Sequence, residues 1–153
     1  MACNAAHGWE ADIRAAIKVP FLSMIGETAE CVAALSPRPR RVGLLAADAC
    51  LKASLYQDAL SARGIEPIGL EEAAQAELMT LIYAIKSGDV GKDVRARMAG
   101  LAEALLGRGA SAVIAGCTEV PLVLGRGELS APLVSSTDVL VERVIRFAGA
   151  ELA

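Results

Sequence analysis

The sequence predicts an α/β fold with parallel sheets flanked by helices. Short β-rich runs alternate with longer helical stretches along the chain. Most of the short runs are nearly continuously apolar, as parallel strands covered on both faces must be. Gly64 and Gly109 stand where a helix would close and feed the next strand. The length of 153 residues suits one domain of about 100–200 residues.

In chain order, the first helical pattern covers Trp9–Ile17, and the apolar run Val19–Ile25 reads as a strand. A second helical pattern covers Glu27–Leu35. Ser36-Pro37-Arg38-Pro39-Arg40 then breaks the pattern, because its two prolines block helix continuation and favour an extended link. A domain boundary is expected near residue 40. Arg41–Ala46 is a buried strand, Leu51–Arg63 a helix closed by Gly64, and Ile65–Ile68 a short strand. In the helix predicted over Glu71–Lys86, Ala74, Leu78, Leu81, Ile82 and Ile85 are spaced for one apolar face. Val90–Arg108 is the next helix, followed by strands at Ser111–Gly116 and Pro132–Ser135 and a last helix at Thr137–Ala150.

Composition narrows the function classes. Apolar residues make up 54% and charged residues 22%, enough to bury a core and keep a polar surface. Aromatics are only 3%, so Ala, Leu, Val and Ile must fill the core. A net charge of −3 offers no electrostatic footprint for nucleic acid or an anionic membrane. Arg38, Arg40 and Arg41 fall in the proline-containing link and read as a solvated loop. The four cysteines include no CxxC and no His/Cys cluster with zinc spacing. There is no signal-peptide pattern and no run of about 18 apolar residues. A cytoplasmic protein with reduced thiols is expected.

Two cysteine motifs carry the chemistry: Cys3-Asn4-Ala5-Ala6-His7, and Gly116-Cys117-Thr118-Glu119-Val120-Pro121-Leu122. Each sets a thiol beside a small polar residue able to hydrogen-bond a carboxylate. Two thiols facing one carbon from opposite sides can remove a proton and return another, which inverts a stereocentre. Cys117 follows a predicted buried strand, and ligands of open α/β sheets bind beyond the carboxyl ends of strands. A helical start at Thr118 would lower the thiol pKa and cradle a carboxylate. The other reading of Cys117 is a buried structural cysteine. His7, the one histidine, reads as a helix-entry residue without a catalytic role. Cys31 sits in a helical pattern and packs, while Cys50, near another strand end, is open to either reading.

Cys3-Asn4-Ala5-Ala6-His7 resembles the Cys-Asn-Thr-Ala-His motif of the aspartate/glutamate racemase family, and Gly116–Leu122 resembles that family's second motif in its aspartate-racemase form. Val19-Pro20-Phe21-Leu22, Arg41–Ala46, Leu55-Tyr56 and Gly64-Ile65-Glu66 match in order as well. The resemblance implies a cofactor-independent racemase of two similar α/β lobes with the substrate between them. Residues 1–36 and 117–153 would belong to the first lobe, and 41–116 to the second. Cys3 and Cys117 would be the acid/base thiols. Asn4 and Thr118 would hold the α-carboxylate, and Glu119 stands where glutamate racemases of the family tend to have His. Lys86 would be a partner for a side-chain carboxylate, or else a solvated helix-end lysine.

The sequence also departs from the family pattern. The family has a further segment ahead of the first Cys, including a Gly-rich strand–turn, so the first lobe is expected to be incomplete. The helix Thr137–Ala150 would then lack part of its packing surface, and exposed apolar area of this sort predicts association or poor behaviour: a fragment, a chain whose start lies further upstream, or one that completes itself as a homo-oligomer. Ala5 replaces a threonine, and Ala47 and Cys50 replace the usual threonines after the Arg41–Ala46 strand. Ser135 and Ser136 stand where an Asp is common. These changes open a substrate other than aspartate. The resemblance thus implies a small carboxylate substrate and an amino-acid racemase of the aspartate/glutamate type. Its alternatives are a hydantoin racemase, a maleate-isomerase-like enzyme, or an inactive relative that binds a small carboxylate or a partner chain.

Overall fold

A computed structural model describes residues 1–149. Four strands form one parallel sheet: β1 (Arg41–Ala46), β2 (Glu66–Ile68), β3 (Ala112–Gly116) and β4 (Leu133–Ser135), in the spatial order β2-β1-β3-β4. The register runs from Val42↔Ala112 to Ala46↔Gly116, so the carboxyl ends of β1 and β3 finish side by side. The chain leaves β1 toward β2 on one side and then crosses back to β3 on the other. That reversal makes the β1/β3 edge a topological switch point, the place where open α/β sheets bind ligands.

The alternation of side chains along β1 and β3 explains why both strands read as unbroken apolar runs. Leu45, Val113 and Ala115 face one layer, filled by Leu78, Leu81, Ile82 and Ile85 of α5 (Glu72–Lys86) and by Met98, Leu101 and Leu105 of α6 (Lys92–Gly107). Val42, Leu44, Ala46, Ala112 and Ile114 face the other. There they meet Ile25, Ala29 and Val32 of α2 (Met24–Ala33), Leu60 of α4 (Leu55–Ser61) and Val139 of α7 (Ser136–Phe147). Gly43 is required where α6 crosses: a Cβ there would lie 2.8 Å from Leu105 Cβ.

Three sequence expectations change. Val19–Ile25 does not form a strand. The segment pairs with no strand up to Ser23, whose Oγ accepts from Gly26 N at 3.2 Å and caps α2, so Met24 and Ile25 are already helical. The run is apolar because Ile25 enters the core and Phe21 stacks near His7, not because it pairs with a strand. Leu51–Arg63 is not one helix. It divides into α3 (Asp48–Lys52) and α4 at Ser54, which takes a left-handed conformation (φ 53°). That kink turns both Cys50 and Tyr56 inward, each fully buried. The final helix ends at Phe147, and Ala150 lies outside the described residues.

The remaining elements are α1 (Glu10–Ala16) and two 3-10 turns, Ala5–Trp9 and Val120–Leu122. Trp9, Val19 and Phe147 are each more than 60% exposed. An apolar groove of about 410 Å³ runs between α1 and α7, bordered by Met1, Ile13, Phe21, Leu140, Val144 and Phe147. Among the described residues no helix is long and apolar enough to cross a membrane.

Candidate active site

A cleft of about 150 Å³ opens at the carboxyl ends of β1 and β3. The segment after β3 supplies Gly116, Cys117, Thr118 and Glu119, the segment after β1 supplies Ala47 and Cys50, and the chain start supplies Cys3, Asn4 and Ala5. Lys86, the last residue of α5, completes the wall. All six residues singled out in the sequence, Cys3, Asn4, Lys86, Cys117, Thr118 and Glu119, therefore meet in one place.

Glu119 organises the β3 side. Its Oε2 accepts from the Cys117 thiol at 2.9 Å and from the Thr118 hydroxyl at 3.0 Å, while Lys86 Nζ stands 3.9 Å from Oε1. Burial alone would raise the Glu119 pKa. The hydrogen bonds from Cys117 and Thr118, with the Lys86 charge, outweigh it and hold the carboxyl below its usual range. Lys86 is half exposed, so this ion pair sits at the rim.

The Cys117 thiol moves opposite to the sequence expectation. Burial comes first and the hydrogen bond to Glu119 second, and together they push it up to about 12. The helical start thought to lower it is only a three-residue 3-10 turn at Val120–Leu122, too short to supply the field of a helix N-terminus. Cys117 is thus a resting thiol whose proton points at a carboxylate.

One consequence is directly measurable. Glu119→Gln removes the negative charge that opposes the Cys117 thiolate while keeping an acceptor for the thiol. The Cys117 pKa should fall, and each unit of fall raises the thiolate fraction about tenfold. Iodoacetamide should therefore alkylate Cys117 on the order of tenfold faster at pH 8 in the variant, read by peptide mass spectrometry. An unchanged rate would show that burial alone holds the thiol.

Asn4 is more tightly engaged than its motif suggests. It is 4% exposed, its Oδ1 accepts from Tyr56 Oη at 2.6 Å, and its Nδ2 donates to Ser136 Oγ at 3.1 Å. Ser136 Oγ donates in turn to the Ala115 carbonyl at 2.9 Å, tying the chain start to β3. One amide N–H of Asn4 is left to serve a ligand. No local motif announces the link of Tyr56 and Ser136 to Asn4, because this chain of hydrogen bonds joins residues far apart along the chain. The one local signal for Tyr56 is that it is a buried aromatic in a chain with very few aromatics.

His7 has a structural job. Met24 N donates to Nε2 at 3.0 Å, so the proton resides on Nδ1, which donates to the Cys3 carbonyl at 2.8 Å. The ring links the first turn of α2 to the backbone of Cys3 and positions that residue, in keeping with the non-catalytic reading. Cys50 proves to line the cleft, and burial pushes its thiol up to about 12. Cys31 lies elsewhere, against the α2–α7 layer, as a packing residue. Among the described residues no group of three or more His, Cys, Asp or Glu side chains could hold a metal ion.

Comparison with known proteins identifies the family of the chain. The family model described as Asp/Glu/Hydantoin racemase matches residues 1–144. An uncharacterised protein in the pnlA 3′ region of Pectobacterium carotovorum subsp. carotovorum is 33% identical over 141 residues, covering 91% of this chain and 92% of its own length. The broad specificity amino-acid racemase RacX of Bacillus subtilis is 27% identical over 144 residues, covering 94% of this chain and 61% of RacX. In fold, the aspartate racemase of Picrophilus torridus superimposes with a TM-score of 0.80 at 24% identity, covering 100% of this chain and 62% of that one. The chain thus spans about three fifths of these two racemases and nearly all of the Pectobacterium relative. It belongs to the Asp/Glu/hydantoin racemase family, a family of isomerases.

Proposed function

We propose that the cleft racemises an amino acid by 1,1-proton transfer between Cys3 and Cys117. The observation that carries the reading is the convergence of two cysteines from distant parts of the chain on one cleft at the sheet's switch point. RacX acts broadly on amino acids and the Picrophilus protein acts on aspartate, which supports an amino-acid substrate of the aspartate/glutamate type or of wider range.

The residues divide the work as follows. For the enantiomer that presents its Cα–H to Cys117, the thiol gives up its proton to solvent as the substrate binds, and the thiolate takes the Cα proton. Cys3, as thiol, then protonates the opposite face. For the other enantiomer Cys3 acts as base, and Cys117, already a thiol, is the acid. The α-ammonium of the substrate, entering beside Cys117, supplies the positive charge that the high pKa of this thiol demands. In this reading the free N–H of Asn4, with Thr118, stabilises charge spreading into the α-carboxylate, and Lys86 serves a side-chain carboxylate.

The test is proton exchange. The purified chain is incubated in D₂O with L- and D-aspartate, L- and D-glutamate, neutral amino acids and a hydantoin, and the Cα–H signal is followed by NMR. Loss of that signal, with the antipode appearing, is the expected result and names the substrate. A folded sample that exchanges none of them would overturn the racemase reading in favour of a relative that only binds a carboxylate.

A further inference from the structure

The proton-transfer reading uses Cys3 and Cys117 and leaves a third thiol of the same cleft without a task. Cys50, on α3 just after β1, is fully buried, whereas Cys3 is exposed. The 3-10 turn that follows Cys3 packs against α3, so the segments bearing the two thiols adjoin. Both thiols line a space of only about 150 Å³, and charge on Cys3 would bear on Cys50 directly. A disulfide needs Cα atoms about 4.4–6.8 Å apart, and the Cys3 backbone, held by His7 through its carbonyl, adjoins α3 through the 3-10 turn that follows it.

We propose that Cys3 and Cys50 form an oxidisable pair, in which a hydroperoxide modifies Cys3 and Cys50 captures the product as a reversible disulfide. In the first step the Cys3 sulfur attacks the O–O bond. A sulfenic acid forms on Cys3, and with hydrogen peroxide the other oxygen leaves as water. In the second step the Cys50 sulfur attacks the sulfenic sulfur. The S–S bond forms, the S–O bond breaks, and the departing hydroxide takes the Cys50 proton and leaves as a second water. Two thiols lose two electrons and two protons, and one peroxide is reduced to two waters.

The order of events follows from exposure. Cys50 is shielded from bulk oxidant, and burial, with Cys3 as a further contribution, keeps it a thiol with a pKa of about 12. It therefore waits for an electrophilic sulfur delivered inside the cleft. Cys117 is held toward Glu119 on the β3 side of the cleft by its hydrogen bond to that carboxylate. Without a resolving partner, a sulfenic acid on an exposed cysteine proceeds to sulfinic and sulfonic acids that dithiols do not reverse. Cys50 would divert Cys3 from that path.

The experiment treats the reduced full chain with a small molar excess of hydrogen peroxide, blocks free thiols with iodoacetamide, and maps peptides by mass spectrometry. The expected product is a Cys3–Cys50 cross-link, two hydrogens lighter than the separate peptides, fully reversed by dithiothreitol. In Cys50→Ser the cross-link is lost, and Cys3 instead gains two or three oxygens that dithiothreitol does not remove. If circular dichroism shows that Cys50→Ser fails to fold, Cys50→Ala provides the same comparison with an apolar side chain. The proposal falls if the wild type forms no such cross-link, if Cys3 joins Cys117 instead, or if Cys3 over-oxidises equally with and without Cys50. The readout is covalent mass, so it stands or falls apart from whether the cleft racemises anything.

Discussion

Cys117→Ser is expected to lower racemisation by about 10²–10⁴-fold in both directions, the range that one positioned acid/base group contributes. Serine keeps the shape of the site and can donate the same hydrogen bond to Glu119 Oε2, so the end of β3 should stay folded. What it loses is acidity, since an alcohol is a far weaker acid than a thiol and neither gives nor takes the Cα proton at neutral pH. The two-thiol arrangement adds a sharper expectation. With Cys3 intact, the enantiomer whose Cα–H faces Cys3 can still be deprotonated, and the same sulfur returns a deuteron after exchange with D₂O. That enantiomer should therefore exchange with retention, while its antipode does neither. Cys3→Ser should give the mirror result. NMR in D₂O read beside chiral chromatography separates these outcomes, and continued racemisation by either variant would exclude a thiol on each face.

Much of this scaffold is legible in the sequence for a plain physical reason. Arg41–Ala46 and the strand ending at Gly116 are buried on both faces, so their unbroken apolar runs announce them. The stripe Leu78, Leu81, Ile82 and Ile85 announces α5 in the same way. Val19–Ile25 misleads because buried Ile25 and half-buried Phe21 give it a strand-like composition, while the deciding feature is a cap at Ser23. The division of α3 from α4 rests on one left-handed serine, which carries no pattern of its own. The cysteine motifs identify the residues of the cleft, since their types are local. The behaviour of those residues is not local. The high Cys117 pKa depends on burial by the folded chain, and the hold on Asn4 depends on Tyr56 and Ser136, each distant in sequence.

Gly116→Ala should show how far the cleft depends on that distant network. A Cβ at this position would lie 2.9 Å from Tyr56 Cε2 and 3.2 Å from Ala46 Cβ. Neither neighbour has an easy retreat: Ala46 is paired with Gly116 in the sheet, and Tyr56 is fully buried with its hydroxyl committed to Asn4. Overpacking of this kind costs about 1–3 kcal/mol. At about 2–4 °C per kcal/mol for a domain of this size, Tm should drop by roughly 2–12 °C in thermal unfolding followed by circular dichroism. The ring, displaced, also strains its bond to Asn4 and so disturbs the Cys3 side of the cleft, which predicts a loss of exchange activity larger than the loss of stability would explain. Tyr56→Leu tests the cause. It removes the ring atoms that the new methyl meets, while itself leaving the Asn4 carbonyl short of a donor at a cost of about 1–3 kcal/mol. If the ring is the obstacle, the double variant should be more stable than the sum of the single losses allows, by about 0.5–3 kcal/mol of coupling. Strict additivity would instead locate the clash at Ala46, and the strand pairing rather than Tyr56 would be what requires glycine before Cys117.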